Sequence, residues 1–320
     1  QVPRAAPALT SKKKEDRPAM MHHPGTILAT SDLSENSTPA LQRAALLARE
    51  HGARLELLHV LENFSHEDLP EGSDSGTFLR ELTRDCEEAL RRQAENSVGP
   101  DIPFDCRIET GKDFVTIIRH AREVAANLIV LGAHGSHSVR DLFLGTTPER
   151  VIRKGGIPVL TVRGSPRRSY ERVLAAIDFS EGSRQALLTA LALAPGARLD
   201  LLHGYELWGL GRLSMAGGEE KIVPRYHQQI WDHAEKRMDE FLQGIDLAGR
   251  KVERHFRSGH PPALISDLAG DLQADLVAMG TEGRSGLPYI LIGSVAERVL
   301  HQAPCDVLTV RPPGFRFELP

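Results

Sequence analysis

Two loops in the sequence place three glycines at the same spacing and follow the last glycine with a hydroxyl residue. The shared pattern is G-x2-G-x9-G-[ST]. Its members are Gly132, Gly135, Gly145 and Thr146 in the first copy and Gly280, Gly283, Gly293 and Ser294 in the second. Because glycine has no Cβ, such a loop can leave a strand sharply and lie close to a ligand. A helix that begins after the last glycine directs unpaired N–H groups and the positive end of its dipole at an anion. The pattern therefore predicts a phosphate-binding loop in each copy.

The hydroxyl residue of each loop stands three residues before a glutamate, which is the spacing of a capping box. Thr146 precedes Glu149, and Ser294 precedes Glu297. We expect each hydroxyl to cap the helix that follows while it also faces a ligand. Turn glycines and helix caps are common in α/β folds that bind no ligand, and one loop taken alone leaves that alternative open.

An aspartate follows the first apolar run of each copy, in the short sequence Asp-x-Ser. These aspartates are Asp32 and Asp178. In a doubly wound sheet the first strand neighbours the fourth at the topological switch point, where ligands bind. A carboxylate there can accept hydrogen bonds from an adenine amino group or a ribose. Asp-x-Ser is also good turn chemistry before a helix, and this second interpretation stays open.

The two loops lie in register within an internal repeat. Residues 157–163 match residues 305–311, and residues 127–132 match residues 275–280, both at an offset of 148. Within each copy, short apolar runs alternate with helical segments, which indicates parallel strands joined by right-handed crossovers. We therefore predict an α/β protein with two tandem doubly wound domains, each built on a five-stranded parallel sheet.

The domain boundaries follow from composition and from the ends of the repeat. We predict domains over residues 25–163 and 171–313, joined by a short polar linker over residues 164–170. Residues 1–24 are rich in lysine, proline and alanine without apolar periodicity, which predicts a disordered arm. Residues 314–320 form a C-terminal tail.

The overall composition narrows the class of protein. Hydrophobic residues make up 41% and charged residues 26%, close to globular averages, so a disordered or fibrous protein is excluded. The net charge of −4 argues against a dedicated nucleic-acid binder. No apolar run approaches the roughly 20 residues of a membrane span. Cys86, Cys106 and Cys305 show neither metal-ligand spacing nor a disulfide framework, which favours a reducing, cytoplasmic compartment.

The sequence favours binding over catalysis. Neither loop is a P-loop, and neither first turn is a G-x-G-x-x-G, so a Rossmann dinucleotide site is not expected. We find no paired carboxylates near the loops and no metal-ligand set, and we predict no catalytic and no metal-binding residue. His134 and His137 are candidate bases in the first loop alone, although loop histidines are more often solvated. Two alternatives stay open: a nucleotide-handling enzyme with slow ATP hydrolysis or adenylyl or phosphoryl transfer, and a ligand-free interaction scaffold.

The combination of motifs resembles the universal stress protein family in its tandem two-domain form. The resemblance rests on Asp-x-Ser, on the glycine pattern and on the terminal P/C-x-V-L-T-V-R strand, and it covers roughly residues 25–163 and 171–311. It implies an adenine nucleotide alpha hydrolase-like fold with strand order 3-2-1-4-5 and a fifth strand that pairs across a dimer interface. The two halves would then form an internal pseudo-dimer, and whole chains would have the option of a homodimer. The resemblance implies ATP, with or without Mg²⁺, as ligand.

The resemblance also assigns roles to particular residues. Asp32 and Asp178 would contact the adenosine, and Val60 would offer its backbone to adenine, with Gly204 as its counterpart in the second half. The glycines and the hydroxyl of each loop would line ribose and phosphates.

The resemblance also implies unequal sites. A second loop hydroxyl, Thr147, would bind phosphate in the first half, where the second half has Val295. Arg284 could supply charge to a phosphate there, or it could be a solvated loop residue. The expected function is a nucleotide-binding protein of the stress response that acts by binding and sensing and hydrolyses ATP slowly at most.

Overall fold

The computed structural model describes residues 24–62, 75–133, 146–205, 219–247, 249–282, 292–312 and 314. Nearly all of the predicted N-terminal arm and of the C-terminal tail lies outside these ranges. Four of the predicted site residues also lie outside the described residues: Gly135, Gly145, Gly283 and Arg284.

Ten strands and eight α-helices alternate along the described chain. The strands are Thr26–Thr30 (β1), Arg54–Leu61 (β2), Phe104–Thr110 (β3), Leu128–Gly132 (β4), Val159–Val162 (β5), Arg172–Ala176 (β6), Arg198–Tyr205 (β7), Val252–Ser258 (β8), Leu276–Gly280 (β9) and Asp306–Val310 (β10). The helices are Thr38–His51 (α1), Ser75–Val98 (α2), Asp113–Glu123 (α3), Thr146–Lys154 (α4), Glu181–Leu193 (α5), Glu219–Leu242 (α6), Pro261–Asp271 (α7) and Ser294–Gln302 (α8). A short 3₁₀ turn, Glu35–Ser37, precedes α1.

Helix α1 shows how the sequence pattern produces a buried face. Leu41, Ala44 and Ala48 recur three or four residues apart, and all three are buried. The helix ends at Gly52, whose φ of 62° lies in the left-handed region that L side chains rarely adopt. The apolar stripe therefore fixes which face packs on the sheet, and the glycine fixes where the helix stops.

All ten strands form one continuous sheet in the order β3-β2-β1-β4-β5-β10-β9-β6-β7-β8. Each half contributes five parallel strands in the order 3-2-1-4-5, so the predicted fold class is confirmed. The halves meet where β5 and β10 pair antiparallel, with Leu160 opposite Leu308. The internal pseudo-dimer that the resemblance implied is thus built through the fifth strands.

Helices cover both faces of the sheet and give it two apolar layers, each of which runs across both halves. On one face the layer includes Leu41 of α1, Leu90 of α2, Leu187 of α5 and Met238 of α6. On the other face it includes Ile118 of α3, Val151 of α4, Leu268 of α7 and Val299 of α8. Strands β4 and β9 are buried on both faces, as their uninterrupted apolar sequences predict. Among the helices that the structure describes, none has the length and apolar character of a membrane span.

A buried polar network joins the two halves and the linker. Asp306 of β10 accepts hydrogen bonds from Arg43 Nε of α1 (3.2 Å), from the Tyr170 hydroxyl (2.7 Å) and from the Arg163 backbone N–H (2.9 Å). The guanidinium of Arg43 also lies 4.0 Å from the centre of the Tyr170 ring. Burial raises the pKa of Asp306, and the hydrogen bonds from Arg163 and Arg43 oppose that rise. The predicted linker over residues 164–170 therefore ends in a side chain that is fixed in the joint between the halves.

Candidate functional site

A cavity of about 520 Å³ opens in the second half, beside residues at the carboxyl ends of β6, β7 and β9 and at the start of α8. This volume falls in the range of roughly 300–1,000 Å³ that is typical of small-molecule sites. Strand β6 lies between β7 and β9, so the strand order reverses here, at the position where open α/β sheets bind ligands. The lining includes four predicted site residues and the counterpart of Val60: Asp178, Gly280, Gly293, Ser294 and Gly204.

Both predicted aspartates close a tight turn with a serine two residues later. Asp178 Oδ1 accepts from the Ser180 backbone N–H (3.0 Å) and hydroxyl (2.5 Å). Asp32 Oδ1 accepts in the same way from Ser34, at 3.0 and 2.6 Å. The turn interpretation of Asp-x-Ser is therefore realised in both halves. Because Asp178 also lines the cavity, the turn holds its carboxylate at the edge of the candidate site.

The residue inside each Asp-x-Ser turn has an unusual backbone conformation. Leu33 and Phe179 both have φ of 64°, which is uncommon for residues other than glycine. Such positions cost on the order of 1–3 kcal/mol and are frequent at ligand-binding sites. The conformation recurs in both halves at the switch point, where it belongs to the turn that holds each aspartate.

Two histidines that the sequence analysis did not select support these turns. His203 Nδ1 bonds to the Ile177 carbonyl at 2.7 Å, and His59 Nδ1 bonds to the Ser31 carbonyl at 2.8 Å. Each histidine thus ties the second strand of its half to the end of the first. The signal was present in the sequence as a Leu-Leu-His run in both copies, but its partner is a backbone carbonyl that a sequence does not reveal.

The glycines of the second loop stand where a side chain has little space. A Cβ on Gly280 would lie 2.8 Å from the carbonyl carbon of Gly182 and 3.0 Å from the Ser183 nitrogen. A Cβ on Gly293 would lie 3.1 Å from the Thr281 carbonyl oxygen, which already accepts the Gly293 N–H at 2.8 Å. The two glycines therefore let the end of β9 lie close to the first turn of α5 and let the residue before α8 lie close to Thr281.

The predicted capping role of Ser294 is wrong. Gly293 is the N-cap of α8, in an extended conformation and without a side-chain cap bond, and Ser294 is the first helical residue. Glycine reaches the extended cap conformation as readily as serine does, so the helix begins one residue later than the capping-box spacing suggested. The serine is consequently exposed at the cavity rather than engaged as the cap.

The first turn of α8 has the geometry of an anion site. The Glu297 N–H donates to the Gly293 carbonyl at 3.0 Å. The N–H groups of Ser294, Val295 and Ala296 precede it and have no acceptor within the helix. All three residues line the cavity, so the positive end of the helix dipole lies at its wall.

The first half has the same framework around its described residues. Gly132 ends β4, Thr146 is the first residue of α4 and is exposed, and Val60 is half-buried near the end of β2. Together with Asp32, these residues occupy the positions of the second half's cavity lining. The two remaining glycines of this loop lie outside the described residues.

Thr147 has a structural partner. Its hydroxyl donates to the Asp113 carboxylate at the start of α3, so it links α3 to α4. In the second half, Val295 and Pro261 stand at these two positions, and both line the cavity. The hydroxyl and its acceptor are thus replaced together by apolar residues. A phosphate contact for Thr147 stays a prediction, and it requires the single hydroxyl proton to leave Asp113 for a phosphate oxygen.

We expect Thr147→Val and Asp113→Ala to be coupled in a double-mutant cycle. Because each variant removes the same hydrogen bond, the double variant should be less destabilised than the sum of the single variants, by about 1 kcal/mol. Urea unfolding of the four proteins measures this coupling. Val295→Thr is the control, because Pro261 offers no carboxylate to a new hydroxyl. Additive costs would mean that the bond contributes nothing and that Thr147 serves another role.

Among the described residues, two clusters of carboxylate and imidazole lie away from the cavity, and each is contacted by an arginine. Glu109 contacts His120 at 2.7 Å and accepts from Arg119 at 3.0 Å. Asp200 accepts from His255 at 2.8 Å and from Arg172 at 2.9 Å. Burial acts to raise the pKa of Asp200, but the hydrogen bonds from Arg172 and His255 outweigh it and lower that pKa. The guanidinium groups therefore supply the positive charge that a metal ion would otherwise bring.

Comparison with known proteins agrees with this architecture. The model of the universal stress protein family matches residues 24–163 and 169–311, and the chain therefore belongs to this family. Universal stress protein E of Salmonella typhi is 24% identical over 306 residues, which cover 91% of this chain and 95% of that protein. A universal stress protein of Mycolicibacterium smegmatis is 27% identical over 294 residues, with 89% and 97% covered.

A solved structure shares the whole tandem fold. The crystal structure of a universal stress protein from Archaeoglobus fulgidus is similar with a TM-score of 0.62 at 22% identity, and the match covers 90% of this chain and 98% of that chain. This likeness shows the fold alone.

Proposed function

We propose that this universal stress protein binds ATP or a related adenine nucleotide, with or without Mg²⁺, in each half and acts in the cytoplasmic stress response by binding and sensing. The observation that supports this best is the cavity of the second half. It lies at the switch point of the sheet, and its lining brings Asp178 together with Gly280, Gly293 and Ser294, which follow it by more than 100 residues in the sequence.

The cavity fits the parts of an adenine nucleotide. Asp178 is an acceptor suited to a ribose hydroxyl or an adenine amino group, and Gly204 would leave room for the base. The start of α8 and the Ser294 hydroxyl suit the phosphates. Gly280 and Gly293 permit the close approach of the backbone, and Gly283 and Arg284 would complete the loop.

In the first half, the proposal assigns the equivalent roles to Asp32, Val60, Gly132, Thr146 and Thr147, with Gly135 and Gly145 in the loop. The two sites would differ in affinity, because Val60 and Thr147 are replaced by Gly204 and Val295 in the second half. The two halves already pair through β5 and β10, so a homodimer of whole chains is a separate expectation that light scattering would check.

Binding rather than rapid turnover is the better proposal for the second half. A hydrolase needs a carboxylate or imidazole that is available as a base for water. Asp178 Oδ1 is held by Ser180, and Glu282 forms an ion pair with Arg311 at 2.8 Å. Two of the three carboxylates in the described lining thus already accept hydrogen bonds from the protein, which leaves Glu297 as the remaining candidate base there. Turnover well below the roughly 10 s⁻¹ of a typical enzyme is expected.

The test is calorimetric titration of the purified protein with ATP after nucleotide has been removed. We expect two binding events of unequal affinity. Asp178→Asn and Asp32→Asn should each weaken one event by about tenfold, because asparagine keeps an oxygen for the serine turn but loses the charge. Asp101→Asn, at an exposed aspartate outside both sites, is the matched control.

Two results would contradict the proposal. If ATP, ADP, AMP and adenosine give no heat of binding and do not compete for a site, nucleotide binding is not the function of this protein. Steady-state ATP hydrolysis faster than about 1 s⁻¹ would instead favour the enzymatic alternative. Mass spectrometry of ligand released from the protein as isolated identifies which nucleotide it holds.

A further inference from the structure

One side chain of the first half takes part in the cavity of the second half. Arg153 lies in the last turn of α4, yet it lines the cavity together with Asp178 and Gly280. The pairing of β5 with β10 brings the C-terminal end of α4 to this position. The second half's cavity is therefore composite, with a wall that its own half does not supply.

The backbone at Arg153 is fixed to the cavity edge by Arg311, which directly follows β10. Arg311 is buried, and its Nε donates to the Ile152 carbonyl at 3.0 Å while Nη2 donates to the Arg153 carbonyl. Its Nη1 donates to Glu282, the residue before Gly283 of the glycine loop, at 2.8 Å. Arg311 thus joins the end of α4 to the second loop. The position of Arg153 at the cavity is set by these bonds rather than by chance exposure.

The guanidinium of Arg153 retains donors that are not used within the described part of the chain. Nη2 pairs with Glu149 one turn earlier in α4. Nε is buried from solvent and has no hydrogen-bond partner among the described residues. A guanidinium offers five N–H donors in a planar fork, and leaving a buried donor unpaired is unfavourable. The side chain as a whole is 32% exposed, so its Nη groups are the donors that a ligand oxygen in the cavity can reach.

The charges around the cavity point to the class of group that Arg153 would bind. Among the described lining residues, the acidic side chains are Asp178, Glu282 and Glu297, and Arg153 is the one cation. Asp178 and Glu297 would repel a ligand that carries phosphate, whereas the charge of Glu282 is already compensated by Arg311. Arginine matches phosphate oxygens in geometry as well as in charge, because its fork can donate two parallel hydrogen bonds.

We propose that Arg153 crosses from the first half to bind a phosphoryl group of the ligand in the second half. This inference rests on the proposed nucleotide function and adds a residue that the glycine motif does not contain. At the pseudo-symmetric position in α8 stands His301, again at an offset of 148. The position equivalent to Arg153 therefore carries a histidine in place of a permanent charge, and we expect the two sites to discriminate differently between phosphorylated and unphosphorylated ligands.

The experiment compares ATP with adenosine by calorimetry in the full-length wild type and in Arg153→Met. Methionine keeps the apolar stem and removes the charge. We expect the affinity of one class of sites for ATP to fall by about tenfold, equivalent to about 1.4 kcal/mol, while adenosine binding changes by less than about twofold. Arg153→Lys should retain part of the preference, because it keeps the charge without the fork. Arg150→Met, an exposed arginine of the same helix that does not line the cavity, should leave both ligands unchanged.

The outcomes separate this inference from the proposed function. If the wild type binds neither ATP nor adenosine, the nucleotide function itself is wrong and Arg153 has no such ligand. If the wild type binds ATP and Arg153→Met leaves the ratio of ATP to adenosine affinity unchanged, the inference alone is wrong. Equal losses for both ligands, accompanied by a lower midpoint of thermal unfolding, would make Arg153 a structural residue and would also overturn the inference.

Discussion

Gly280→Ala is expected to destabilise the protein by about 2–3 kcal/mol and to abolish ligand binding in the second half. The new methyl group would lie 2.8 Å from the carbonyl carbon of Gly182 and 3.0 Å from the nitrogen of Ser183, both backbone atoms in the first turn of α5. Backbone atoms cannot rotate away as a side chain can, so α5 would have to move off β9. That movement would also displace Asp178, which lies just before α5 and lines the cavity.

Chemical unfolding in urea, followed by circular dichroism, measures the loss in unfolding free energy for Gly280→Ala. Gly270→Ala is the matched control, because it is the same substitution in helix α7 at a position with no atom within 4 Å of the new Cβ. Alanine has a higher helix propensity than glycine, so this variant should gain up to about 1 kcal/mol. A loss below about 0.5 kcal/mol for Gly280→Ala would show that α5 adjusts without cost, and the close glycine contact would then not be a constraint on the site.

The fold could be predicted from the sequence because its determinants are local and repeated. Apolar periodicity and the internal repeat were sufficient to predict a parallel five-stranded sheet in each half. The strand order 3-2-1-4-5 and the pairing of the two fifth strands followed from the family resemblance, whereas the antiparallel direction of that pairing was not predicted. These features depend on the sequence of each strand and not on a particular side-chain partner.

The candidate site could be predicted only in part, since its remaining contacts join residues that are distant in sequence. The glycines and the two aspartates stood out through their spacing. Thr147 bonds to Asp113, 34 residues away, and Arg311 bonds to Ile152 across the joint, 159 residues away. No sequence pattern reports such pairs. The capping prediction for Ser294 was wrong for a different reason, because a glycine before the serine can itself adopt the cap conformation.

A substitution in the joint between the halves is expected to have the second large effect on stability. Asp306→Ala is expected to cost about 3–5 kcal/mol, because it leaves the buried guanidinium of Arg43 without its counter-charge and removes the acceptor of Tyr170 and of the Arg163 N–H. Urea unfolding monitored separately by tryptophan fluorescence and circular dichroism would measure this cost and show whether the halves still unfold together. The double variant Arg43→Met with Asp306→Ala should be less destabilised than Asp306→Ala alone, since no unpaired charge remains. Equal stability of Asp306→Ala and the wild type would show that water replaces the carboxylate.

Tyr170→Phe is the matched variant for this network, because it removes one hydrogen bond and leaves the Arg43–Asp306 pair intact. Its cost at neutral pH should be about 1 kcal/mol. Burial, together with the nearby Asp306 carboxylate, raises the pKa of the Tyr170 hydroxyl well above its usual range. The folded state therefore holds the hydroxyl proton more tightly than the unfolded state does. The contribution of the Tyr170 hydroxyl to stability is complete below the unfolded pKa of about 10, and it is lost as pH rises through the folded pKa. The difference in unfolding free energy between wild type and Tyr170→Phe should accordingly shrink above pH of about 10, by up to about 1.4 kcal/mol per pH unit. A difference that stays constant through that range would mean that the hydroxyl is solvated, and the linker would then not be fixed in the joint.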